Sequence, residues 1–426
     1  MRTERRSPIR IHSLRIQDFR GIKSLSMDFK GQDAKPPGQV FFVGANATGK
    51  TTILEALARL LGEGRMREGL GVPTNPLQEM LRFGAHDFQL RARFSIHRSG
   101  MSVPEMGDLQ LNHDRWLEYE GHTPRSSEHI GYLSGAASQG MMIAGLRPQV
   151  QWFKASTALE VDSIADLEEK LVAAFTRRVL AKRPVAPGGD PFARVEQAWQ
   201  HFERHDAHFD VIQESNNPGS RYRVVLRGDK PIPQDITSVS MARELAASRS
   251  DVPDLVTFDQ LSAGQRLLFS YIGPLIFRDL PAEIVLIDEA DRHLHPAWAM
   301  RLVPALRKVV PDAQFFVATH SPQVLSDVEN GKVFVLKRED DGITARTEPV
   351  FYGRESNLIL EALFGVPSRP SWAKEAFHDI YVALDEKRIE DAKVLTTALK
   401  EKIGADDPEF GRVDLIIRRR EGSSRA

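Results

Sequence analysis

The chain has 426 residues, 41% hydrophobic and 27% charged, the make-up of an ordinary soluble protein with room for several packed units. Fifty-seven basic against 58 acidic side chains leave a formal charge of −1, so no global bias toward nucleic acid exists. The absence of cysteine excludes disulfides, thiol catalysis and cysteine-built zinc sites, and no apolar run is long enough to span a membrane. The N-terminus lacks the apolar stretch of a secretory signal, so the expected compartment is the cytoplasm.

Ile9–Ile16 and Leu25–Phe29 alternate apolar and polar residues around a bend at Phe19-Arg20-Gly21, which predicts a hairpin. Val40–Val43 is a short apolar strand that runs directly into a glycine loop, Gly44 to Thr51. Behind the loop Ile53, Leu54, Leu57, Leu60 and Leu61 recur at helical spacing. Phe88–Ile96 predicts another strand of the same lobe, and 99–146 reads as loop-rich. Gln149–Phe153 predicts a strand, Ser163 a helix cap with Asp166 completing a variant capping box, and Pro191–His208 a further helix. Phe209–Ile212 with Tyr222–Leu226 form an expected strand pair. Late in the chain come a hairpin, Val333–Lys337 with Ile343–Thr347, and then a mostly helical tail broken at Asp406-Asp407-Pro408.

The chemistry sits in four motifs. Gly44-Ala-Asn46-Ala-Thr-Gly49-Lys50-Thr51 has the form GxxxxGK[ST], in the strand–loop–helix context that a phosphate cradle needs. Its glycines let backbone N–H groups approach the phosphates of ATP, with Asn46 in the loop. Lys50 supplies charge to the β and γ groups, the Thr51 hydroxyl suits Mg²⁺, and Thr52 can donate to the α-phosphate. Ile284–Ile287 is an apolar strand that ends in Asp288 and Glu289, carboxylates suited to holding Mg²⁺ and to activating water. Gln314–Thr319 likewise delivers His320 at a strand tip, where it can bond the γ-phosphate or the attacking water. Leu261-Ser262-Ala-Gly264-Gln265 precedes an apolar helix and presents a helix N-terminus; read alone, it is only a helix cap.

Weaker signals are read both ways. His293-Leu-His295-Pro296 invites a metal reading, but no third ligand of matching spacing stands nearby. Asp291 and His295 are placed instead at a dimer interface. The basic clusters at Arg2–Arg10 and Arg418–Arg420 can touch phosphates or remain solvated tails.

Taken in order, Phe19-Arg20-Gly21, the glycine loop, LSAGQ, IDEADRHLHPAW and ATHSPQVLS resemble the ABC-type ATPases related to RecF, SMC heads and OLD proteins. The wording around HLHP and THSPQVL is similar to the AAA-type ATPases of Septu and retron-associated anti-phage systems. The resemblance implies an α/β P-loop fold of the ABC-ATPase head type: a mixed sheet flanked by helices, an antiparallel lobe, a helical insert and a helical C-terminal region. It divides the chain into 1–98 (head with phosphate loop), 99–250 (insert), 251–350 (rest of the head) and 351–426 (helical accessory region).

It further implies hydrolysis of ATP with Mg²⁺ in a homodimer or higher even oligomer. Glu289 and His320 are catalytic; Gly44, Asn46, Gly49, Lys50, Thr51 and Thr52 bind ATP; Thr51 and Asp288 hold the metal. Ser262, Gly264 and Gln265 act on ATP bound to the partner copy. No TOPRIM nuclease module is evident after His320, and the likeness to the Septu group implies a separately encoded effector nuclease as partner. The alternative is a RecF-like repair ATPase that clamps DNA on dimerisation; a membrane-transporter subunit fits the LSAGQ motif but not the insert. Position 47 is Ala where relatives often carry Gly, and the glutamine that usually joins the Mg²⁺ shell is left between Gln149 and Gln151.

Overall fold

The computed structural model describes residues 9–30, 36–62, 80–96, 105–112, 150–154, 161–180, 190–202, 207–277, 282–292, 294–326, 328–348, 351–354, 356–365, 367 and 369–423. They divide into two compact units, Met1–Ser356 and Asn357–Ala426.

The first unit opens with strands β1 (Ile9–Phe19), β2 (Ile22–Asp28) and β3 (Gln39–Val43), followed by helix α1 (Lys50–Gly62). Then come β4 (Gln89–Ile96), β5 (Glu105–Asn112), β6 (Val150–Lys154), α2 (Val161–Leu180) and α3 (Pro191–Gln200). A small antiparallel sheet is built from β7 (His208–Gln213), β8 (Tyr222–Arg227) and β9 (Val256–Thr257), with α4 (Val239–Ala246) between the last two. The 3₁₀ turn Phe258–Gln260 leads into α5 (Ala263–Ile276). The unit continues through β10 (Ile284–Asp288), α6 (Pro296–Val309), β11 (Gln314–Thr319), α7 (Pro322–Ser326), β12 (Lys332–Glu339) and β13 (Gly342–Glu348).

The central sheet has the order β13-β12-β3-β11-β10-β6, parallel except for β13. Its strands β3, β10 and β11 are buried throughout, as continuous apolar runs covered on both faces must be. A second, antiparallel sheet in the order β2-β1-β4-β5 packs over it. Between the two lies an aromatic cluster in which Phe29 meets Phe316 edge-on at 5.3 Å and Phe334 at 5.7 Å. Gln314 stitches the layers: its buried side chain accepts from the Ile11 N–H at 2.7 Å and donates to the Ile11 carbonyl at 3.0 Å. It thereby satisfies backbone groups that the sheet ladder leaves open.

Four expectations change. Helix α2 begins at Val161, so Ser163 lies inside it rather than capping it. The helix expected over Pro191–His208 stops at Gln200, and His208 already starts β7. The stretch expected to be loop-rich contains β5, which pairs with β4. Finally, β5 and β6 fall within 99–250 yet join the two head sheets, because β6 pairs in parallel with β10. Gln149, His293 and Arg2–Pro8 of the N-terminal basic cluster lie outside the described residues.

The second unit contains α8 (Ser356–Phe364, starting one residue before it), α9 (Ser371–Asp385), α10 (Ile389–Ile403) and α11 (Pro408–Ser423). Its core gathers Phe377, Ile380, Leu384, Leu399, Phe410 and Val413. Arg369 donates to both oxygens of Asp407 at 2.7 Å, which anchors the break before α11.

Candidate nucleotide-binding and catalytic site

The parallel strands β3, β10 and β11 deliver the loop, the acids and the histidine to one edge, because register aligns their carboxyl ends. The glycine loop closes tightly. A Cβ on Gly44 would stand 2.6 Å from the Leu336 carbonyl oxygen, and Gly49 adopts φ +89. Such a cradle leaves the N–H groups at the head of α1 free to face an anion. Lys50 folds back to donate to the Gly44 and Ala45 carbonyls, each at 2.8 Å. Burial lowers its pKa, while Asp288, Asp291 and Glu289 oppose that shift. Asn46 and Thr51 are exposed and Thr52 is half-buried.

The Thr51 hydroxyl donates to Asp288 Oδ1 at 3.1 Å. A hydroxyl beside a carboxylate is the hard-oxygen pair that suits Mg²⁺, which keeps waters and phosphate oxygens as its other ligands. Among the described residues no group of three His, Asp or Glu could hold a metal ion on its own. Glu289 follows at φ 53, a left-handed turn that reverses the chain at the strand's end, and pairs with Arg292 at 2.7 Å.

The turn after β10 returns beside β11, where the Ala290 N–H donates to the Ala318 carbonyl at 3.2 Å. Asp291 is thereby brought under His320, with its Oδ2 3.0 Å from Nε2, while its other oxygen accepts from the Thr319 hydroxyl. Its carboxylate is largely buried and lies beside the histidine of its own chain. His295 accepts the Ala297 N–H at 3.3 Å and caps α6. No local pattern could assign Asp291, since the strands that bring it to His320 pair across separate parts of the chain. Gln151 pairs with Val285, three positions before Asp288, so it stands back from the edge where the acids emerge.

Ser262 caps α5 through a reciprocal box, accepting from the Gln265 N–H at 3.2 Å while the Gln265 side chain accepts from the Ser262 N–H at 2.9 Å. Ser262 is exposed and Gly264 half-buried, so this helix start faces outward.

Residues 10–106 match the family described as "AAA ATPase domain", and residues 198–326 match "AAA domain, putative AbiEii toxin, Type IV TA system". Together with the loop–acid–histidine edge, these matches liken two stretches of the chain to AAA-type ATPase domains. The chain is similar to "Retron Ec83 probable ATPase" of Escherichia coli, 34% identical over 32% of this chain and 26% of that one. It is also similar to "Septu protein PtuA" of Bacillus mycoides (strain KBAB4), 32% identical over 30% of this chain and 20% of that one. The matches thus span only about a quarter and a fifth of those relatives. Among solved structures, the SMC head domain from Thermotoga maritima aligns over 80% of this chain and 100% of that one, with a TM-score of 0.41 and 12% identity. Among the described residues no helix is long and apolar enough to cross a membrane.

Proposed function

We propose that this ATPase is the regulatory subunit of a cytoplasmic anti-phage defence system, closing as a homodimer on ATP and governing a separately encoded nuclease. The defence role is supported by the retron and Septu relatives. The observation that carries the dimer is the outward-facing start of α5, where Ser262 is exposed and the helix N-terminus is available to phosphate. In this reading Ser262, Gly264 and Gln265 complete the nucleotide site of the other copy.

Within each copy, Gly44, Asn46, Gly49 and Thr52 wrap the phosphates, and Lys50 leaves its own carbonyls to take the β and γ groups. Thr51 and Asp288 would hold Mg²⁺, which would supply positive charge to the phosphates. Glu289 orients and deprotonates the attacking water, and His320, steadied by Asp291, bonds the γ-phosphate. Residues 99–250 and the helical region 351–426 serve as docking surfaces. ATP holds the copies and effector together, and hydrolysis releases them.

The test is affinity purification of Glu289→Gln, which should bind ATP without turning it over, expressed with its neighbouring genes. Recovery of a stoichiometric nuclease with an ATP-dependent dimer is the expected result. A dimer that retains only duplex DNA sinks the defence reading in favour of a DNA clamp.

A further inference from the structure

Behind the outward-facing start of α5 lies a charge cluster centred on one buried arginine, none of whose members is assigned above to the nucleotide. Arg223 on β8 is more than nine-tenths buried, yet its guanidinium reaches three carboxylates on three elements. It donates to Glu168 of α2 at 2.8 Å, to Glu214 after β7 at 3.0 Å, and to Asp259. Asp259 belongs to the 3₁₀ turn Phe258–Gln260 and stands three residues ahead of Ser262. The pairing of Val225 with Thr257, the last residue of β9, brings the turn that carries Asp259 alongside this end of β8.

Two further observations converge on the same turn. Glu168 also accepts the Val224 N–H at 3.1 Å, and its neighbour Leu167 packs on α5 so closely that a Cβ on Gly273 would stand 2.8 Å from Leu167 Cδ1. Phe258 meets Phe269 of α5 at 4.8 Å, an apolar hold opposite the polar one. Helix α2 is itself the next helix in the chain after β6, the strand beside the acid-bearing β10.

A planar, multiply donating cation is what joins several carboxylates at fixed angles; an ammonium at the same place cannot reach all of them. We infer that Arg223 is a positioning residue for the Ser262–Gln265 helix start, fixing the direction in which it meets the other copy's nucleotide. This inference rests on the trans reading of that motif under Proposed function.

The test uses the full chain with Arg223→Lys and, to guard against misfolding, Asp259→Asn, whose side chain is mostly exposed. Affinity for a fluorescent ATP analogue should stay within about twofold of wild type while kcat falls about tenfold or more, because the defect is one of alignment. Mixing either variant with Lys50→Ala, itself inactive, should raise the rate well above the sum of the two alone. One composite site then pairs an intact phosphate loop with an intact helix start.

A parallel mixture of Ser262→Arg with Lys50→Ala tests the underlying reading. If that control recovers activity and the Arg223 and Asp259 mixtures do not, Arg223 only stabilises its lobe and the inference is overturned. A loss of nucleotide affinity as large as the loss of kcat overturns it equally. If the control itself fails, the trans reading falls and carries this inference with it.

Discussion

His320 Nε2 stands 3.0 Å from the carboxylate of Asp291, which is itself tied to the Thr319 hydroxyl one residue before the histidine. A carboxylate fixed at one ring nitrogen selects the tautomer and leaves the other nitrogen for phosphate or water. His320→Ala should lower kcat about a hundredfold. Asp291→Asn should lower it about tenfold, with ATP affinity retained in both. Single-turnover hydrolysis beside equilibrium binding separates these effects. Equal loss of binding and turnover in Asp291→Asn would mean that the aspartate shapes the pocket rather than the histidine.

Ala47 occupies φ 62 at an exposed point of the phosphate loop. A left-handed alanine costs roughly 1–2 kcal/mol relative to the right-handed region, whereas glycine pays only a smaller unfolded-state entropy. Ala47→Gly should therefore stabilise the protein by about 0.5–1 kcal/mol, and Ala47→Val should destabilise it. Urea midpoints compared at constant m-value measure both; a lower midpoint for Ala47→Gly would contradict the argument.

The two loop glycines are constrained differently. Gly44 faces the Leu336 carbonyl, a backbone atom that cannot step aside, whereas Gly49 at φ +89 faces the flexible Ile343 Cδ1 at 2.7 Å. Gly44→Ala should cost about 1–3 kcal/mol and weaken ATP binding. For Gly49→Ala, adding Ile343→Ala should relieve the clash but leave the torsional cost. Full recovery of ATP binding by that double variant would show that the torsion matters little.

His12 is buried in β1, with Nε2 2.7 Å from the Ser95 hydroxyl and Nδ1 without a partner among the described residues. Burial, then the Lys30 charge, holds its pKa below the ordinary histidine value of 6.5. The unfolded chain therefore binds a proton at a pH where the folded chain still resists it. By linkage, stability falls as the pH drops through the ordinary histidine range toward the lowered folded value. Between about pH 7.5 and about pH 5.5, His12→Gln should lose less stability than wild type. Parallel pH slopes in thermal unfolding would rule His12 out as the cause.

Much of the site was legible locally. The glycine loop between β3 and α1, the acids at the end of β10 and His320 at the tip of β11 are each a strand followed by its own polar terminus, so a short window of sequence encodes them. The same holds for the β12–β13 hairpin and for the helix that Ser262 caps. Strands β5 and β6 were harder to place in the head, because membership of a sheet is settled by partners distant in the chain.

The sequence by itself therefore determined the parts of the candidate site: a glycine loop between strand and helix, two carboxylates, a histidine and a capped helix start. Only the tertiary structure decided which groups support them. Parallel pairing of β10 with β11 set Asp291 against His320, and the turn that follows β9 set Asp259 against Arg223. Gln314, which reads as the first residue of a strand, became the clasp between two sheets. Each of these contacts joins residues far apart in the chain, and the propensities and periodicities of a single segment carry no information about which remote segment it will meet.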